Sequence, residues 1–166
     1  MATIFKEHNY KKNSMIEIDK ENTLVIIEKF NNLDSIIDFV ALLNDLRDIQ
    51  FKEDAHKIKL SSFYYYSNPK VSKNKYHKFS IPKKSGEERI IHAPKKGLKA
   101  IQRTITDLLT LIYEPNICVN GFVPKRSIID NAIYHVSKNY VYNIDLKDFF
   151  PSVDMRRVKA CLKLPP

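Results

Sequence analysis

Cysteine and glycine are scarce, with two cysteines and three glycines in 166 residues. Cys118 and Cys161 stand far apart and have no partner at a metal-ligand spacing. That excludes a disulfide scaffold and a zinc site built on cysteine pairs. Both read as small buried residues in a reducing cytoplasm. With so little glycine there is no glycine-rich phosphate loop, and no nucleophile elbow occurs either. No apolar run approaches the ~18 residues that a membrane-spanning helix needs. The stretch MATIFKEHNYKK places no apolar block after its charges, so it does not read as a secretory signal. The expectation is a cytoplasmic protein without a membrane partner.

What is present fits a folded domain. Hydrophobic residues make up 43% and charged residues 28%, ordinary for a globular rather than a disordered chain. The length allows one domain, or one and a half, with a real core.

The net charge of +9 is localised. Residues 67–103 hold eleven Lys or Arg against only Glu87 and Glu88, an excess equal to that of the whole chain. Everything outside this segment is neutral in sum. Such a run is often a solvated tail. Here it is interleaved with Tyr76, Phe79, Ile81, Ile90, Ile91 and Leu98, which suits a folded surface. Polyanion binding is the expectation, with nucleic acid the first partner to test.

Periodicity gives a coarse map. IEI and LVII near the start have the β-branched character of short strands. Over NNLDSIIDFVALLNDLRDIQF, residues Ile36, Ile37, Val40, Leu43 and Leu46 recur at helical spacing, with Asn32 as cap. SSFYYYSNPKVSKNKY reads as a polar, aromatic connector whose Tyr64, Tyr65 and Tyr66 pack at a domain edge. KFSI and RIIHA flank the turn formers PKKSGEE, which predicts a β-hairpin. Pro94 ends its second strand. A helix follows, with Leu98, Ile101, Ile105, Leu108, Leu109 and Ile112 as its apolar stripe and Pro115 closing it. Ser127 and Asp130 fit a capping box. Ser152 or Asp154 caps a last helix that carries Val158 and Leu162 on one face.

One stretch carries chemistry. YVYNIDLKDFFPSV, residues 140–153, runs from a strand-like segment into Asp145 and Asp148. Strand alternation puts Val141, Asn143 and Asp145 on one face. A carboxylate at a strand's end is held firmly yet reaches solvent. Magnesium prefers such oxygens, taking one or two protein carboxylates together with waters or phosphates. On spacing alone, however, two aspartates three apart more often cap a turn.

Four stretches, in order, resemble the start of a bacterial reverse transcriptase of the retron and group II intron type. They are FSIPKKSGEERIIHAP, LKAIQRTITDLL, NGFVPKRSIIDNAIYH and YNIDLKDFFPSV, together spanning roughly residues 76–160. The resemblance implies an α+β fold of the right-hand polymerase kind. A partly helical N-terminal extension would occupy 1–60 and the fingers 61–139. The start of the palm, with its first strand and helix, would occupy 140–166 and leave the palm incomplete.

It also implies RNA-directed DNA synthesis, by magnesium-dependent nucleotidyl transfer from dNTPs on an RNA template. Carried over by position, Asp145 matches the first catalytic aspartate, the ligand of two Mg2+ ions. Lys83 or Lys84, together with Arg89, would meet the triphosphate, a role suited to a point charge and a guanidinium fork. Asp148, Phe149 and Phe150 lie at the nucleotide, where the Phe150 ring would exclude a 2′-hydroxyl. Arg126, Ser127 and Asn131 match the template-contacting segment. His135 matches too, but reads as a hydrogen-bonded histidine on a packed helix face. Two departures stand out: Glu87 and Glu88 replace a more glycine-rich loop, and Lys125 stands where a glycine is common.

The implied partners are RNA template and primer, their RNA–DNA duplex, dNTPs and a cognate non-coding RNA. Phage defence is the implied role for a retron, and intron mobility for the other type. The later Tyr-x-Asp-Asp motif of the family does not occur in the sequence. The expectation is therefore an N-terminal portion that is inactive alone. The alternative is a non-catalytic nucleic-acid-binding module derived from such an enzyme.

Overall fold

The computed structural model describes residues 18–71 and 74–163, in two compact units, Met1–Ile112 and Tyr113–Pro166. The first unit is built on helices. α1 (Lys20–Asn31) starts at Asp19, whose carboxylate accepts the Asn22 amide at 2.8 Å. α2 (Ile36–Phe51) starts at Ser35, which forms a reciprocal capping box with Asp38. Asn32 is not that cap; it ends α1 instead. LVII lies inside α1, with Ile26 fully buried, so packing against α2 overrides its strand propensity. Most of IEI lies outside the described residues.

α2 buries Val40, Leu42, Leu43 and Leu46, while Ile37, expected in the stripe, is exposed. After a 3-10 turn (Lys52–Asp54), the connector is pinned by Asn44. Its side chain donates to the Ile58 carbonyl at 3.1 Å and accepts the Ile58 amide at 2.7 Å. The aromatic connector is in fact a helix, α3 (Leu60–Ser67). Phe63 meets Phe39 of α2 edge-to-face with centroids 5.8 Å apart, and this packing supports a helix too short to stand alone.

β1 (Tyr76–Pro82) and β2 (Glu88–Pro94) then form the expected antiparallel hairpin, with Phe79 opposite Ile91 and Ile81 opposite Arg89. α4 (Lys96–Ile112) returns to the core and buries Leu98, Ile101, Thr104 and Leu108. Each fully buried leucine or isoleucine stabilises this unit by roughly 1.5–3 kcal/mol. The core is helical, and every residue of β1 is exposed.

The second unit contains α5 (Ile128–Ala132) with a 3-10 turn (Ile133–His135), α6 (Phe149–Ser152) and α7 (Met155–Leu162). None of its described residues is buried. The expected strand at 140–144 does not form. A strand exists only with a ladder partner, and among the described residues no backbone hydrogen bond joins this segment to another. Cys118 and Cys161, expected to be buried, are exposed thiols. Seven α-helices and a two-stranded sheet among the described residues make the chain α+β.

Candidate functional site

The expected site residues divide between the two units. In the first, the hairpin loop is closed by the Lys83 amide donating to the Glu87 carbonyl at 2.7 Å and by the Gly86 amide donating to the Lys83 carbonyl at 3.0 Å. Gly86 has φ +86°, a left-handed conformation that a Cβ would strain. The Lys83 ammonium pairs with the Glu87 carboxylate at 2.7 Å. An exposed pair of this kind stabilises by about 0–1 kcal/mol, so an arriving phosphate can displace it. Lys84 and Arg89 are exposed and have no side-chain partner among the described residues. Arg89 lies across from Ile81, while Glu88 is opposite Pro82 on the other face. The added acids therefore neutralise Lys83 but leave the other two cations available.

In the second unit, Ser127 and Asp130 form the capping box of α5 in both directions. The Ser127 hydroxyl donates to the Asp130 carboxylate at 2.7 Å and accepts the Ile129 and Asp130 amides. That hydroxyl bond, with the Ser127 amide at 2.6 Å, holds Asp130 below the usual carboxylate range. Arg126 is turned inward. Its Nη1 donates to the carbonyls of Asn116 at 2.9 Å and Ile117 at 3.2 Å, and to that of Val119. It ties its own loop together. The Asn131 side chain is exposed at α5. His135, read from sequence as packed and hydrogen-bonded, is exposed with no side-chain partner among the described residues, because this unit has no core to cover it.

The aspartates behave differently from capping residues. Asp148 occupies the position before α6 in a left-handed conformation (φ 53°, ψ 35°), which aspartate tolerates. Its backbone carbonyl accepts the Ser152 amide at 3.0 Å, but its carboxylate makes no cap hydrogen bond. The Asp145 carboxylate is exposed and likewise accepts nothing among the described residues. Phe149 and Phe150 pack edge-to-face at 5.4 Å, and Phe150 is 82% exposed. Two unengaged carboxylates in one short loop, beside an exposed ring, offer hard oxygen donors and a stacking surface. Among the described residues no group of three or more metal-ligating side chains occurs.

Three contacts in the first unit were not read from the sequence. Lys75 Nζ donates to the Tyr66 carbonyl at 2.6 Å and the Asn68 carbonyl at 2.9 Å, fastening the end of α3. Gln102 Nε2 donates to the Tyr76 hydroxyl at 3.3 Å, joining the hairpin base to α4. Gly97 lies directly under the Tyr66 ring. None of them has a local sequence signature.

Comparison with known proteins gives relatives over about half of the chain. Over 99 residues the chain is 43% identical to the retron Mx65 reverse transcriptase of Myxococcus xanthus, a match covering 60% of this chain and 23% of that protein. The chain is a relative of the retron reverse transcriptases. The retron Mx162 reverse transcriptase of the same organism is 43% identical over 88 residues, 53% of this chain and 18% of that protein. The retron Ec86 reverse transcriptase of Escherichia coli is 34% identical over 87 residues, 51% and 27% respectively. This retron-type chain thus spans about a quarter of the length of the curated relatives it matches. No family model matches it, and no solved structure does. Among the described residues no helix is long and apolar enough to cross a membrane.

Proposed function

We propose that this chain supplies the fingers and the first catalytic aspartate of an RNA-directed DNA polymerase of the retron type. The observation that carries the reading is the pair Asp145 and Asp148. Both carboxylates are unengaged, and neither does the capping work that would otherwise explain it.

The donor set fits magnesium, which takes one or two protein carboxylates and completes its shell with water and phosphate oxygens. Asp145 would hold the metal, and Asp148 lies with Phe149 and Phe150 at the nucleotide. When bound, magnesium supplies charge neutralisation to the attacking and leaving oxygens of phosphoryl transfer. Lys84 and Arg89 would meet the triphosphate, with Lys83 joining them on release from Glu87. Phe150 would lie against the sugar and exclude a 2′-hydroxyl. Arg126 and Ser127 would act on the template indirectly, by shaping the loop and helix start that present Asn131. RNA template, primer and their duplex are the proposed partners, with a cognate non-coding RNA and a cytoplasmic setting in keeping with a retron. A two-ion site needs more carboxylates than these two, so the 166-residue chain by itself should not polymerise.

Phe150→Ala tests the nucleotide assignment in a full-length reverse transcriptase carrying this segment. Primer extension with dNTPs should persist, while incorporation of rNTPs should rise at least tenfold. Unchanged discrimination against rNTPs would place Phe150 away from the sugar.

A further inference from the structure

The eleven cations of residues 67–103 are not equivalent in the folded chain. Lys75 is engaged with the end of α3, and Lys83 with Glu87. Others gather at the opposite end of the hairpin from its loop. Tyr76, Lys78 and His92 share one hairpin face, with Lys78 directly opposite His92. Tyr76 is bonded to Gln102 of α4, and that bond sets the base of this face against the helix. On α4, Lys99 lies one turn before Gln102 and Arg103 follows it, both exposed. Lys96 extends the stripe toward the start of the helix.

This clustering opposes folding locally. The first turn of α4 contains lysine and no acid, the reverse of what its dipole favours. The cationic stretch also has a clear end. Thr106 and Thr110 donate their hydroxyls back to the Gln102 and Thr106 carbonyls, so they offer no donor outward. Asp107 then introduces a carboxylate beside Arg103.

We infer that this junction of hairpin base and α4, formed by Lys78 and Lys99 around the Tyr76–Gln102 bond, binds the sugar–phosphate backbone of a single nucleic-acid strand. It is separate from the triphosphate-contacting loop. The seven-residue strands put the two ends of the hairpin about 20 Å apart. From Lys96 to Arg103 the helix rises about 10 Å, enough to follow two or so phosphates of a strand. The inference rests on the polymerase reading only in the choice of RNA as the strand.

The test is fluorescence anisotropy of a labelled single-stranded RNA with the 166-residue chain over a KCl series, repeated with single-stranded DNA. Lys78→Gln with Lys99→Gln should lower the slope of log affinity against log salt by about 1.4, at ~0.7 per phosphate contact. Lys84→Gln with Arg89→Gln, at the loop, should leave the slope unchanged. Lys99→Arg should keep it, and thermal melts should show all variants folded. A slope that falls only for the loop pair, or for both pairs, overturns the separate junction while RNA binding stands. A slope that neither pair changes removes both places from the footprint. Absence of RNA binding by the unmodified chain would sink the nucleic-acid reading as well. Binding of DNA alone would keep the surface and contradict RNA as its strand.

Discussion

Gly97 lies in the first turn of α4, where alanine would ordinarily stabilise a helix by about 1 kcal/mol. A Cβ there would meet the Tyr66 hydroxyl at 2.7 Å and ring atoms at 2.9 and 3.1 Å. Tyr66 is half-buried against the core and braced by Tyr65 edge-to-face, so moving its ring gives up packing. The clash should win. Gly97→Ala is expected to destabilise the chain by about 1–2 kcal/mol in a chemical melt. A higher midpoint would mean Tyr66 swings aside without loss. Nothing in KKGLKAIQ announces this constraint, because the opposing ring comes from Tyr66, far back along the chain. The capping box of Ser127 and Asp130, by contrast, is complete in four residues and could be read directly. Asn32 was the wrong cap because Ser35 and Asp38, three residues on, form the stronger reciprocal pair.

Between α2 and α4 a small polar network stands in an otherwise apolar contact. Arg47 donates to the His56 carbonyl at 2.7 Å and to the Thr104 hydroxyl at 3.1 Å, with its guanidinium 5.2 Å from the Phe51 ring centroid. Gln50 reaches Asp107 at 3.5 Å, and its buried Oε1 has no partner among the described residues. Burial pushes the Asp107 carboxyl up, and Arg103, Gln50 and Arg47 only partly offset it. A raised folded value means that ionising Asp107 costs stability. The penalty is absent below the unfolded value of 3.8 and grows as pH rises through the folded one. Asp107→Asn should therefore raise the melting temperature at neutral pH, where the new amide can also serve Gln50 Oε1. The gain should vanish as pH falls below about 4. A variant less stable at pH 7 would show that the arginine attractions dominate. Elements with local signatures were legible here: the hairpin from its turn residues and α4 from its stripe. The 140–144 strand was misread because β-branched residues give a propensity, and only a partner strand makes a ladder.

Across the whole molecule, four stretches in order were enough to indicate the family, since a motif's order and spacing survive where its packing is not visible. The same reading could not show that Arg126 binds its own loop, or that the carboxylates stand free of caps. The 166-residue chain, given primer, template, dNTPs and magnesium, is expected to extend nothing, and measurable extension by a clean preparation would mean it already contains a complete site. The most direct measurement is primer extension by a full-length reverse transcriptase carrying Asp145→Asn in this segment. Asparagine equals aspartate as a cap but removes the charge that would hold metal. Extension should fall by several orders of magnitude, with melting temperature and RNA binding retained. Near-unchanged polymerisation by that variant would contradict the catalytic role of Asp145.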